Sequence, residues 1–166
     1  SQDREGVSAD VGVVGLQALR RSENVAGFLA LRGPYVATEV AAVPIGEKVL
    51  PSFDALDSDA LRNSVVIYNR GRKELLFIVP GAADSGLNKT IYVYAPRLQA
   101  WYGPWTYSFG IGCAANYISD SGIENVLVGC SDGYVRLLDV GTLDDVLYDG
   151  TGGSNIIMTA EPNVLI

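Results

Sequence analysis

The side chains of this sequence that could do chemistry are few and unevenly placed. Trp101, Tyr102 and Trp105 fall within five residues, braced by Gly103 and Pro104, and hold both tryptophans of the chain. Flat aromatic groups of this kind stack on sugar rings or anchor a partner subunit. Alternation along an extended strand places Trp101 and Trp105 on one face. The two indoles are therefore expected to pack between neighbouring elements, with Tyr102 as the contact surface. All three are the candidate ligand or partner contacts.

Other chemistry has weaker support. The chain has no histidine, which excludes Ser–His and Cys–His nucleophile pairs within it and leaves Cys113 and Cys130 unable to complete a usual zinc site. Two buried thiols are the favoured reading of those cysteines, ahead of a bridge across a hairpin centred on residues 121–122. The carboxylates Asp54, Asp57 and Asp59, and Asp144, Asp145 and Asp149, lack the spacing of a calcium loop. Asp132 or Asp144 is the better calcium position, but solvated turn carboxylates are favoured. Paired carboxylates also hydrolyse glycosides, yet no acid here is marked by its neighbours for a raised pKa, and the stretch 119–122 lacks the closing aromatic of a sialidase Asp-box. Residues 109–116 contain Gly-x-Gly, but a turn-like segment follows where a dinucleotide site needs a helix. Asn88-Lys89-Thr90 is a formal glycosylation acceptor expected on a loop. No catalytic residue, metal site or cofactor is expected.

Composition narrows the partners. The net charge of −7 over 166 residues argues against a duplex-binding surface, which needs clustered cations; the basic stretch 70–73 reads as a solvated turn. No apolar run is long enough to span a bilayer. The chain begins at Ser rather than Met, and we expect a processed chain or a piece of a longer one. Nineteen glycines, nine tyrosines and frequent valine suit short strands and tight turns.

The elements that must position these residues show in a repeated hairpin. In residues 129–145, Ser131-Asp132-Gly133 separates two apolar runs, and Asp-Gly accepts the positive φ of a tight turn. Earlier versions lie at 23–40 and 73–105, each with a Tyr-Val pair after the turn: Tyr35-Val36, Tyr92-Val93 and Tyr134-Val135. Flanking strands are expected at 11–14 and 49–53, at 65–68 and 100–106, and at 113–118 and 146–148, with 156–159 opening another. One helical turn is expected at 58–63. The reading is a single all-β domain over 1–166, built from propeller-type blades of four antiparallel strands at 11–53, 64–107 and 111–150 plus a terminal strand at 154–160. A β-sandwich is the alternative. Three blades and one strand leave a ring open, so further sequence or further copies would complete it, the first being preferred.

The 129–145 hairpin resembles that of WD-type blades, with Leu138 where their tryptophan stands. Residues 11–140 as a whole resemble propeller-containing virion proteins of tailed bacteriophages, the nozzle or hub proteins of short tails among them. The motifs that carry this are the Val25–Tyr35 hairpin, the segment Pro44-Ile45-Gly46-Glu47-Lys48-Val49 (Gly46 where Ser is common), the Ser64–Pro80 blade and the Asn88–Trp105 blade, in that order. The resemblance implies a non-catalytic structural subunit, located in the virion, that forms homo-oligomers and contacts other virion subunits. It departs in length, since family members are several times longer. In a nozzle, the net negative charge would form an acidic wall past which DNA slides without sticking. The alternative function is a carbohydrate-binding propeller lectin assembled from short chains, with Trp and Tyr platforms.

Overall fold

The computed structural model describes residues 11–39, 41–56, 59–81 and 83–138, with the backbone of short strands at 144–147, 155–157 and 164–165. It is mostly β. Strands β1 (Leu19–Arg21), β2 (Ala26–Ala30), β3 (Gly33–Ala37) and β4 (Ala42–Pro44) pair in sequence order as an antiparallel meander. A second meander follows, from β5 (Val65–Asn69), β6 (Glu74–Pro80), β7 (Asn88–Ala95) and β8 (Ala100–Thr106). The third comprises β9 (Ile111–Ile118), β10 (Glu124–Cys130) and β11 (Val135–Leu138). It is continued at its edge by β12 (Asp144–Leu147) and β13 (Asn155–Ile157), while β14 (Val164–Leu165) pairs with β8. None of the sheets is closed.

The sheets stack in sequence order and approach one another most closely through their first strands, β1 against β5 and β5 against β9. The middle strand β5 explains why. Its run Val65-Val66-Ile67-Tyr68-Asn69 is buried throughout, as a strand covered on both faces must be. Val66 and Tyr68 enter the apolar cluster between the first and second sheets, with Leu29, Phe77 and Trp101. Val65 and Ile67 enter the one between the second and third, with Ile78, Ile91, Phe109, Val126 and Val128. Three stacked sheets replace the two layers of a sandwich.

The hairpin turns fall where the sequence places them. Gly133 has φ +87, and its amide donates to the Cys130 carbonyl at 3.1 Å, bringing Gly129 opposite Val135. Gly122, with φ +79, closes the β9–β10 turn through a bond to the Ser119 carbonyl at 2.8 Å. The expected turn at 58–63 is a 3-10 turn, Ala60–Asn63.

The first sheet departs from expectation. Residues 11–14 form no strand; the Val14 amide instead makes a bond to the Leu29 carbonyl at 3.0 Å. Residues 50–54 form a short helix, α1 (Leu50–Asp54), with Pro51 in its first turn, where proline's missing donor costs nothing. The flanking strands are β1 and β4 instead. At the other end, β13 pairs with β12 as an extension of the third sheet rather than opening a new unit. Residues 148, 154 and 158–160 of the expected terminal strands lie outside the described residues.

Candidate functional site

The aromatic cluster is divided between two clusters of the core. Trp101 is 1% exposed. Its Nε1 donates to the Ile45 carbonyl at 2.8 Å, and its ring meets Phe77 and Tyr94 with centroids 5.4 and 5.0 Å away. It joins the first and second sheets and presents no surface to a partner. Tyr102 and Trp105 are half-buried and pack against the cluster between the second and third sheets.

Strand alternation therefore misplaces the pair. Trp101 pairs with Tyr94, Tyr102 with Val93 and Trp105 with Ile91, because the register shifts between Ile91 and Val93. One extra residue on β8 turns Trp105 to the face opposite Trp101. Gly103 makes the shift with φ +94, and a Cβ there would lie 2.9 Å from the Ile91 carbonyl oxygen.

Asp132 serves Arg136 rather than an ion. Its two carboxylate oxygens accept from the two terminal nitrogens of Arg136 at 2.8 and 2.7 Å. The guanidinium, 3% exposed on its side chain, stands 4.0 Å from the centroid of Phe109. The hydrogen bonds from Arg136 hold the Asp132 carboxyl below its ordinary range, and the same pairing raises the guanidinium. Among the described residues no three of Cys, Asp and Glu are grouped as a metal site. The side chains of Asp57, Asp144, Asp145 and Asp149 lie outside the described residues.

The remaining expectations resolve by position. Cys113 lies opposite Gly129 and Cys130 opposite Ile111. Neither is in a disulfide; Cys113 is exposed and Cys130 half-buried, so the expectation of two buried thiols fails for Cys113. Asn88 opens β7 and is 4% exposed, which corrects its placement on a loop and removes it as a glycan acceptor. The basic stretch 70–73 turns from β5 to β6, and Lys73 reaches Glu23 at 3.6 Å. Strands β1, β5 and β9 hold no carboxylate, whereas β1 carries Arg20 and Arg21. An acidic wall is therefore not built from the converging strands.

Two surfaces hold chemistry that the sequence does not display. The first is the outward face of the third sheet. Val126 and Val128 of β10 point into the core, so Leu127 and Gly129 point away from it. Their paired neighbours are Ala115 and Leu137, and Cys113 and Val135. Among the described side chains of β9, β10 and β11 none on this face is charged, with Val135 49% exposed and Tyr117 at its edge 42% exposed.

The second is a cleft of about 400 Å³ where the starts of β5, β7 and β9 meet the segment leading into β1. Asn88 ties this end together, its Nδ2 donating to the carbonyls of Asn63 at 2.6 Å and Ile111 at 3.0 Å. Ser131 Oγ accepts from the Gly110 amide at 3.0 Å, and Gln17 Nε2 reaches the Gly112 carbonyl at 3.4 Å. No single sequence signal marks this site, because its walls come from five separated segments. Compared with known proteins, the chain matches no family, no curated protein and no solved structure.

Proposed function

We propose that the three sheets are blades of a β-propeller and that the chain is a structural subunit of a tailed-phage particle, acting through subunit interfaces rather than catalysis. The observation that carries this reading is the stacking of three antiparallel meanders through their first strands, the first two of four strands each, ending on a face of the third sheet where the described side chains of β9–β11 are uncharged and largely apolar. Such a face is a liability unless another element covers it. Its partner in this reading is a further β-sheet with an apolar face, supplied by a neighbouring virion subunit. The order of motifs along residues 11–140 supplies the phage assignment. Genome passage past the converging strands would depend on their low carboxylate content and on Arg20 and Arg21, not on an acidic lining. The lectin alternative, as built on tryptophan platforms, loses its principal ring because Trp101 is buried.

The test is co-sedimentation of the tagged chain with gradient-purified particles of a phage that encodes it, beside the variants Leu127→Asp and Val135→Asp. The proposal expects the parent chain in the particle fraction and both variants lost from it while they remain folded by circular dichroism. A parent chain absent from particles, or variants incorporated as well as the parent, would overturn it.

A further inference from the structure

A second cleft, of about 530 Å³, opens at the other end of β5, where the β1–β2 turn, the β5–β6 turn and the start of β10 come together. Its charges are mixed: Arg21, Arg70 and Lys73 stand against Glu23 and Glu124. The backbone fixes their placement. Asn69 Oδ1 accepts the Arg72 amide at 3.2 Å and shapes the β5–β6 turn. That turn lies so close to β10 that a Cβ on Gly71 would come 2.8 Å from the Glu124 carbonyl oxygen. Lys73 and Glu23 satisfy each other at 3.6 Å. Arg21, Arg70 and Glu124 make no ion pair among the described residues. Opposite charges that share a cleft without touching leave room for a molecule that carries one charge for each.

Tyr68 adds a hydrogen-bonding group beside them. The residue is 6% exposed, and its ring is held in the cluster between the first and second sheets. Its hydroxyl has no hydrogen-bond partner among the described residues. The oxygen is not one of the sealed unpartnered atoms, which are Ser64 Oγ, Asn88 Oδ1 and Arg136 Nε, so it stays open to the cleft that Tyr68 lines. Glu23, Arg70 and Glu124 all act on the phenol through their charge, which places its oxygen among them. A ring fixed by packing presents its hydroxyl to a ligand at little further entropic cost.

The balance of charge selects the ligand. A dianion such as phosphate would meet Glu23 and Glu124 as well as the cations, and a simple cation would meet three positive side chains. A small zwitterion avoids both conflicts. We propose that this cleft binds a free amino acid, its carboxylate on Arg21 and Arg70, its ammonium on Glu124, and the Tyr68 hydroxyl donating to the carboxylate. Guanidinium forks match the two oxygens of a carboxylate, and the volume lies within the range of small-molecule sites. This site does not rest on the virion assignment.

The test is amide chemical-shift titration of the isotopically labelled chain with glycine, L-serine and L-glutamine. Three controls run beside them: N-acetylglycine, which lacks the ammonium, glycinamide, which lacks the carboxylate, and inorganic phosphate. At least one amino acid is expected to bind at about 1 mM, because exposed charges pair weakly, and to shift the amides of Ser22, Arg70 and Glu124. Both one-charge analogues should bind more weakly. Tyr68→Phe and Arg70→Ala should each weaken the amino acid about threefold. Glu124→Gln should weaken the amino acid but leave N-acetylglycine unchanged or tighter, a reversal that a merely structural role does not produce. The analogue series in the parent chain decides the matter without any variant. The proposal is overturned if no amino acid binds, as when Arg70 and Glu124 close on each other in solution. Phosphate as the only binder, N-acetylglycine binding as tightly as the amino acids, or shifts confined to residues outside the cleft would overturn it equally.

Discussion

Asp132 and Arg136 form a two-pronged ion pair across the β10–β11 turn, at 2.8 and 2.7 Å. The same aspartate accepts the Tyr134 amide at 3.3 Å, so one side chain shapes the turn and neutralises a cation lodged against Phe109. A buried guanidinium needs its counter-charge more than an exposed carboxylate does, and the two are unequal here, at 3% and 37% side-chain exposure.

Removing the carboxylate should therefore cost more than a surface pair would. Asp132→Ala is expected to lower stability by about 2 kcal/mol, and Asp132→Asn by less because it keeps the turn-forming acceptor. Adding Arg136→Leu to Asp132→Ala should restore part of the loss. Urea unfolding of the three proteins measures this, and no recovery in the double variant would rule out the stranded charge as the cause. Because the folded carboxyl lies below its ordinary value of 3.8, its contribution is present above that value and fades as pH falls through the lowered one.

Trp101 fastens the second sheet to the first. Trp101→Phe removes the bond to the Ile45 carbonyl and opens space in a packed cluster, and should cost about 3 kcal/mol. Trp105→Phe, half-buried and without that bond, should cost less than half as much. Equal losses in thermal unfolding would refute the unequal roles.

How far the sequence displays this architecture differs from sheet to sheet. The second and third sheets are legible because their strands are long apolar runs, such as Glu74–Pro80, bounded by turn residues. The first is not. Its true edge strand, Leu19–Arg21, has three exposed residues and two arginines, while the valine-rich 11–14 reads as a strand and is held by a single backbone bond to β2. Trp105 is misplaced because strict alternation carries no sign of the extra residue at Gly103. The cleft is invisible in sequence because Gln17, Ser64, Asn88, Gly110 and Ser131 meet only once the three sheets stack.

Gly103 should be intolerant of any side chain. Its φ of +94 and the 2.9 Å approach of the Ile91 oxygen mean that Gly103→Ala costs about 2 kcal/mol or more. Gly112→Ala is the control, since its nearest neighbour would lie 3.8 Å away. Comparable thermal midpoints for the two variants would contradict the register shift as drawn.

The two thiols should differ in reactivity. Cys113 is exposed, Cys130 half-buried, and neither is bridged. Brief treatment of the folded chain with iodoacetamide should label Cys113 first, and peptide mapping locates the adduct. Prior reduction should change neither the intact mass nor the labelling, and preferential modification of Cys130 would refute the placement.

Alkaline pH should loosen the contact between the first two sheets. Burial raises Tyr92 and Tyr94 above their ordinary value of 10.0, and it raises Tyr68 as well, with Glu23 adding to the effect and Arg70 opposing it. All three lie in the cluster between those sheets. A phenol whose folded pKa is raised keeps its proton in the fold when the unfolded chain has already released it. The unfolded state then binds fewer protons, and stability falls as pH climbs. The contribution is intact below the unfolded value and is lost as pH passes up through the folded ones. Tyr92→Phe should flatten this decline, since it removes the ionisable group and keeps the ring against Phe53, 4.7 Å between centroids. Urea midpoints across the alkaline range, followed beside an ultraviolet titration of the phenols, decide the matter: a decline as steep in Tyr92→Phe as in the parent would remove Tyr92 from the account.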